Sequence, residues 1–209
     1  MNYRKIPQIV ADKLKPLEAY IYLVLASKSD YETNESNVNE DTLAELTGLR
    51  REAISKHICD FDKKGIIKKI TERRKGERGT FRFNHYYLFT EHYALVSMDL
   101  LKEPIRRELM GFLVQLKLRC YNFSNLCRYS VRALADTFVY SKSTVERYLQ
   151  EAESSGYIKR DKKGIRLLNS NLFIIDEKSE YEFVREFYPE SLTDEEILNH
   201  KLSSSPLRW

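Results

Sequence analysis

Leu43-Ala44-Glu45-Leu46-Thr47-Gly48-Leu49-Arg50-Arg51-Glu52-Ala53-Ile54, closing on Gly65-Ile66-Ile67-Lys68-Lys69, is written twice in this chain. The second version opens at Leu134-Ala135-Asp136 and runs through Ser141, Lys142, Thr144, Val145 and Leu149 to Gly156-Tyr157-Ile158-Lys159-Arg160. Leu43 to Gly65 and Leu134 to Gly156 both span 22 positions, and Leu134 stands 91 positions after Leu43. Such self-similarity is the trace of one structural unit used twice.

Working outward from the first copy, Leu17, Tyr20, Ile21, Leu23, Val24 and Leu25 make a dense apolar stretch behind Pro16. Proline suits the first turn of a helix, where its missing N–H is not needed, so a buried helix is expected over 17–26. Asp41 to Leu46 reads as a short second helix stopped by Gly48, since glycine accepts the left-handed backbone of a tight turn. Arg51 to Lys64 reads as a third helix, with Ile54, Ile58 and Phe61 as its apolar stripe and Gly65 as its stop. Two strands are expected at Ile66–Thr71 and Thr80–Leu88, where Phe81, Phe83, Tyr86 and Tyr87 favour a pleated surface. Between them Glu72 to Gly79 reads as a basic hairpin tip with two glycines.

The second copy follows the same plan. Tyr93 to Lys102, strand or helix, mirrors Tyr3 to Leu14. Pro104 opens a helix to about Leu118, Val131 to Phe138 forms a second, and Ser141 caps a third that runs to about Ser155. A shorter hairpin follows: Tyr157–Arg160, a turn over Asp161–Gly164, then Ile165–Leu168.

The chain has 209 residues, 42% hydrophobic and 32% charged, a globular profile. No apolar run reaches the roughly 18 residues that a membrane helix needs, and the start carries no secretory pattern. Cys59, Cys120 and Cys127 are too few and too odd for a disulfide framework, so a reducing, cytoplasmic setting is expected. Net charge is +4, unevenly spread: Arg50–Arg82 holds 12 Lys/Arg against 5 Asp/Glu, Leu17–Glu45 holds 1 against 7, and Asp176 to the end holds 4 against 9. A basic cluster on the third helix and its hairpin suits a polyanion held on one face.

The segment Lys5-Ile6-Pro7, the apolar first helix, Leu43 to Ile54 and Gly65-Ile66-Ile67 resembles the winged-helix domains of phage and plasmid replication proteins and small bacterial regulators. Ser141-Lys142-Ser143-Thr144-Val145 with Gly156-Tyr157-Ile158 matches the same pattern, so the likeness covers about residues 3–175. Two such units in one chain are similar in layout to plasmid replication initiators. The resemblance implies a mainly α chain with small β wings (α+β): two tandem winged helix-turn-helix domains at 1–90 and 91–175, then an acidic helical extension at 176–209. Two departures stand out: Val139 occupies the place of Gly48, and Arg50 stands where a capping Ser or Thr is usual.

A helix fits the DNA major groove, and its N-terminal residues reach base edges. The expected reading residues are Arg50, Arg51, Glu52, Ser55 and Lys56 in the first copy and Lys142, Ser143, Thr144 and Arg147 in the second. Arg73, Arg74, Lys75 and Arg78, with Lys162 and Lys163, are expected to hold phosphates or to enter a minor groove. The different chemistry of the two helices argues for an asymmetric site. His57 is expected to make a packing or phosphate contact rather than to act as a ligand, and the hairpin aromatics to pack in the core rather than to stack on bases. No nucleophile–base pair, phosphate loop or paired-carboxylate pattern stands out. The gap between Cys120 and Cys127 matches no common zinc spacing. The expectation is therefore no enzyme, no metal and no cofactor. Double-stranded DNA is the expected partner, in transcription regulation or replication initiation, and residues 176–209 are a candidate surface for a homodimer or protein partner. The alternative is an adaptor similar to the tandem winged-helix subunits of chromosome-condensation complexes, which would not need the basic run.

Overall fold

The structure is a computed structural model that describes residues 2–76, 79–121, 124–138 and 140–175. The chain opens with strand β1 (Tyr3–Pro7) and a short helix α1 (Ile9–Lys13), then α2 (Pro16–Ser27). The Glu18 carboxylate accepts from the Lys15 backbone N–H at 2.9 Å, which closes the first turn of α2. Its residues Ala19 to Ala26 are all buried, so α2 has no solvent face and lies in the centre of the core.

A two-residue strand β2 (Glu35–Ser36) leads to α3 (Glu40–Thr47) and α4 (Arg51–Lys63). Asn39 caps α3, its side chain accepting from the Thr42 N–H at 2.7 Å. Gly48 ends α3 at φ +60° and Gly65 follows α4 at φ +66°, the left-handed stops that the sequence places there. On α4 only Ile54, Ile58 and Phe61 are buried, the stripe read from spacing. Strands β3 (Ile67–Gly76) and β4 (Gly79–Leu88) then pair as a long antiparallel hairpin, with β2 added on the outer edge of β4.

The second copy opens with β5 (Tyr93–Ser97), a 3-10 turn over Met98–Lys102 and α5 (Arg107–Lys117). The lead-in left open between strand and helix is both in succession. Pro104 lies before α5 rather than in it, because the backbone N–H groups of Glu103 and Ile105 close the preceding turn on Leu100 and Glu103 carbonyls. Strand β6 (Leu126–Cys127), α6 (Val131–Phe138), α7 (Lys142–Ser154), β7 (Ile158–Asp161) and β8 (Gly164–Leu167) complete the copy. Ser141 caps α7, its hydroxyl accepting from the Thr144 N–H at 3.1 Å. The starts of α3 and α6, of α4 and α7, and of β3 and β7 are each 91 residues apart.

The expectation of a mainly α chain, built as tandem winged helix-turn-helix domains with small β wings, is corrected. The described residues are mixed α and β, 45% helical and 25% strand, with seven α-helices and eight strands in three small sheets among them. Three features account for the extra β-structure. The hairpin does not end in a tip at Glu72; β3 runs on to Gly76 because each residue finds a partner on β4, with Arg73 opposite Arg82. Short strands β2 and β6 extend each hairpin to three strands. And β1 pairs antiparallel with β5, centred on Lys5 opposite Leu95. That last sheet joins the first strands of both copies.

The copies also share one apolar core, which includes Ile6, Leu23, Phe61, Phe112, Val145 and Phe173. Helices α2 and α5 cross so closely that a Cβ on Gly111 would lie 1.8 Å from the Pro16 carbonyl oxygen. Gln115, fully buried on α5, donates to the Leu14 carbonyl at 2.5 Å. Arg106 donates to Glu151 of α7 at 2.5 Å; this hydrogen bond holds the Glu151 carboxyl below its ordinary range and raises the guanidinium further. The fully buried Lys117 donates to Asn125 Oδ1 at 2.5 Å and to the Ile174 carbonyl at 2.9 Å, fixing the segment that follows β8. The proposed acidic extension at 176–209, like Arg78 and Val139, lies outside the described residues.

Candidate nucleic-acid interface

Helix α4 buries one stripe and leaves Arg51, Glu52 and Lys56 exposed, with Ser55 half-buried beside them. Arg50 precedes the helix with extended backbone and no side-chain cap, so its guanidinium is not spent on the helix end. A groove of about 890 Å³ separates this face from the β3–β4 hairpin, and Arg51, Ser55 and Lys56 line it opposite Thr71, Arg82 and Asn84.

Pleating sorts the basic residues of the hairpin, because side chains two apart share a face. Thr71 and Arg82 face the groove, so Arg73, opposite Arg82 in register, and Lys75 fall on the same side. Arg74 falls on the other. There it donates to Glu72 at 3.0 Å and lies 4.1 Å over the Phe83 ring, beside His85. The Arg74 hydrogen bond holds the Glu72 carboxyl below its usual range. The sequence treats Arg73, Arg74 and Lys75 alike; the strand separates them. Arg82 lies inside the expected strand Thr80–Leu88 and is not among the expected site residues, yet the alternation Arg82, Asn84, Tyr86 is the signal that places it.

Two of the groove cations are already paired. Arg51 Nε lies 3.2 Å from Asp41 Oδ1, and Lys69 Nζ lies 3.0 Å from Glu40 Oε1. Among the described residues Arg50, Lys56, Arg73, Lys75 and Arg82 make no ion pair. His57 is turned inward, Nδ1 3.7 Å from Glu18 Oε1, and Tyr86 is fully buried, its hydroxyl pushed up to about 12 by desolvation. Tyr86 packs, as expected of it, and His57 meets Glu18.

In the second copy Lys142, Ser143 and Arg147 are exposed on α7 and Thr144 is half-buried. The hydroxyls of Ser143 and Thr144 both contact Ser141 Oγ, at 2.9 and 2.8 Å, so they belong to the cap. Lys162 and Lys163 form the two-residue turn of the β7–β8 hairpin, where Asp161 accepts from the Lys163 N–H at 2.7 Å. Arg160 points back to Glu146 and Glu153, at 2.6 and 2.8 Å, and those carboxylates raise its guanidinium further. A smaller groove of about 300 Å³ brings Arg128 and Ser130 to Lys162 and Lys163. Arg128 and Arg132, both exposed, were not singled out from the sequence, although they flank Ser130, whose hydroxyl accepts from the Ala133 N–H at 3.2 Å in the first turn of α6.

Cys120 and Cys127 stand opposite each other across the Tyr121–Leu126 bridge as free thiols. Burial pushes the Cys120 thiol up, while its hydrogen bond lowers that of Cys127. No group of three or more His, Cys, Asp or Glu able to hold a metal occurs among the described residues. Nor is any described helix long and apolar enough to cross a membrane. No protein-family profile, curated protein or solved structure matches this chain.

Proposed function

We propose that the chain is a site-specific double-stranded DNA-binding protein that acts in transcription regulation or replication initiation. The observation that carries this reading is the groove between α4 and the β3–β4 hairpin. Exposed helix residues on one wall face a strand surface whose cations, Arg73, Lys75 and Arg82, have no carboxylate partner among the described residues. A helix with free polar N-terminal residues suits the major groove, and unpaired cations beside it suit the phosphates that flank that groove. The repetition of a helix pair and hairpin 91 residues on, with Lys142, Arg147, Lys162 and Lys163 exposed, supplies a second contact region. A protein adaptor would have no use for unpaired charge in that amount, since desolvating it costs free energy with no anion to offset it.

The test is duplex binding across a salt series. Neutralising several phosphates releases counterions, so log affinity should fall linearly with log salt at a slope of about −0.9 per phosphate contact. No duplex binding at low salt would sink the reading and leave the adaptor role. Binding with a steep slope but no sequence preference would remove the site-specific part alone.

A further inference from the structure

We infer that Asp41 is a positioning residue that aims Arg51 at a guanine, a base-reading contact that the second copy, with Lys142 in that place, lacks. The inference rests on the proposed duplex binding and deepens it.

Arg51 is the first residue of α4, the helix end that reaches base edges, and it is 62% exposed. Its Nε lies 3.2 Å from Asp41 Oδ1. A guanidinium engaged through Nε keeps Nη1 and Nη2 for a second partner, and that pair is the fork that donates to guanine O6 and N7 together. Asp41 is itself set by its helix: it lies in the first turn of α3, which Asn39 caps. The pair biases a long, exposed side chain toward that arrangement, by the modest amount that an exposed ion pair supplies.

A carboxylate on a surface meant only to grip a polyanion is counterproductive, because it repels phosphate. The second copy shows what such a surface looks like without it. At the 91-residue offset Asp41 becomes Arg132, Arg51 becomes Lys142, and Glu52 becomes Ser143. Two cations stand where the first copy has a cation and the carboxylate that steers it, and Lys142 makes no ion pair among the described residues. Lysine offers a point charge instead of a fork. Elsewhere in this copy a groove gathers Arg128, Lys162 and Lys163 around the single carboxylate of Asp161.

Asp41 also sits where a carboxylate favours a helix N-terminus, a role that would move stability but not base preference. The experiment therefore reads preference. A preferred duplex is selected from random sequences. Its affinity, and that of duplexes with each guanine replaced, is measured at one salt concentration for the wild type, Asp41→Ala and Arg51→Lys. Expected for Asp41→Ala is equal or tighter binding to unrelated duplexes, with roughly a tenfold loss of discrimination at one guanine, the range of a bidentate contact. Arg51→Lys should lose the same discrimination at the same guanine, and the double variant should lose no more. Full discrimination in Asp41→Ala, or an equal drop on every duplex, overturns the inference while duplex binding stands. Failure of the wild type to bind any duplex overturns both.

Discussion

Gly111 of α5 lies against the backbone of α2 with no room for a methyl group: an added Cβ would meet the Pro16 carbonyl oxygen at 1.8 Å and the Tyr20 nitrogen at 3.0 Å. A carbonyl at the start of a packed helix cannot swing aside as a side chain can. Gly111→Ala should therefore push α2 and α5 apart and destabilise the chain, although alanine is the better helix former by about 1 kcal/mol. Overpacking of this kind costs about 1–3 kcal/mol or more, and thermal unfolding measures it. An unchanged or raised melting temperature would show that the two helices have slack.

The Arg106–Glu151 pair joins the start of α5 to α7, and its strength should depend on pH in one direction. Glu151 has its carboxyl lowered from the ordinary 4.5, chiefly by the Arg106 hydrogen bond. A lowered folded-state value means that the unfolded chain takes up the proton first. The stabilisation is therefore present above about pH 4.5 and is lost as pH falls through the lowered value. Glu151→Gln should be less stable than the wild type at neutral pH, and the gap should close in acid. Chemical unfolding of both proteins at several pH values checks it; a gap independent of pH would assign the effect to packing.

Lys117 is fully buried and satisfies two oxygens, Asn125 Oδ1 and the Ile174 carbonyl. Lys117→Met keeps most of the volume but leaves both acceptors without that donor. A buried group left unsatisfied costs about 1–3 kcal/mol. Unfolding should come earlier by that order, and hydrogen exchange should quicken at the Ile174 amide, which bonds the Leu95 carbonyl. Loss of stability without faster exchange at Ile174 would place the damage elsewhere.

The sorting of the hairpin cations gives a comparison internal to one strand. Arg73→Ala and Arg82→Ala should each weaken binding to all duplexes alike and reduce the salt slope by about 1. Arg74→Ala, on the opposite face and paired with Glu72, should change neither by as much. Equal effects from Arg73 and Arg74 would mean that the hairpin does not present one face to its ligand.

Much of the local structure is legible in the sequence because it is decided locally. Ile54, Ile58 and Phe61 define the inner stripe of α4 by spacing, and Gly48 and Gly65 stop helices through backbone conformations that they alone adopt cheaply. Ser141 caps α7 with an oxygen three residues from the N–H that it accepts. The repeat is legible for the same reason, since each copy obeys the same local rules. The extent of β3 is not. Glu72 to Gly76 is charged and flexible in composition, and only the partner strand, through its hydrogen bonds, makes it a strand. Nothing near Arg74 in sequence says that the Phe83 ring will lie under it.

What the sequence determined by itself is a duplicated set of helices and hairpins, with positive charge gathered on the first α4 face and its hairpin. The tertiary structure alone decided how the copies join: β1 on β5 about Lys5 and Leu95, Gly111 against Pro16, and Arg106 on Glu151. It also decided which charges remain free, by pairing Arg51 with Asp41 and Lys69 with Glu40. The division has a physical cause. Caps, stripes and stops involve residues within about one helical turn of each other, whereas sheet pairing, helix crossings and these ion pairs join residues whose distance in sequence says nothing of their distance in space.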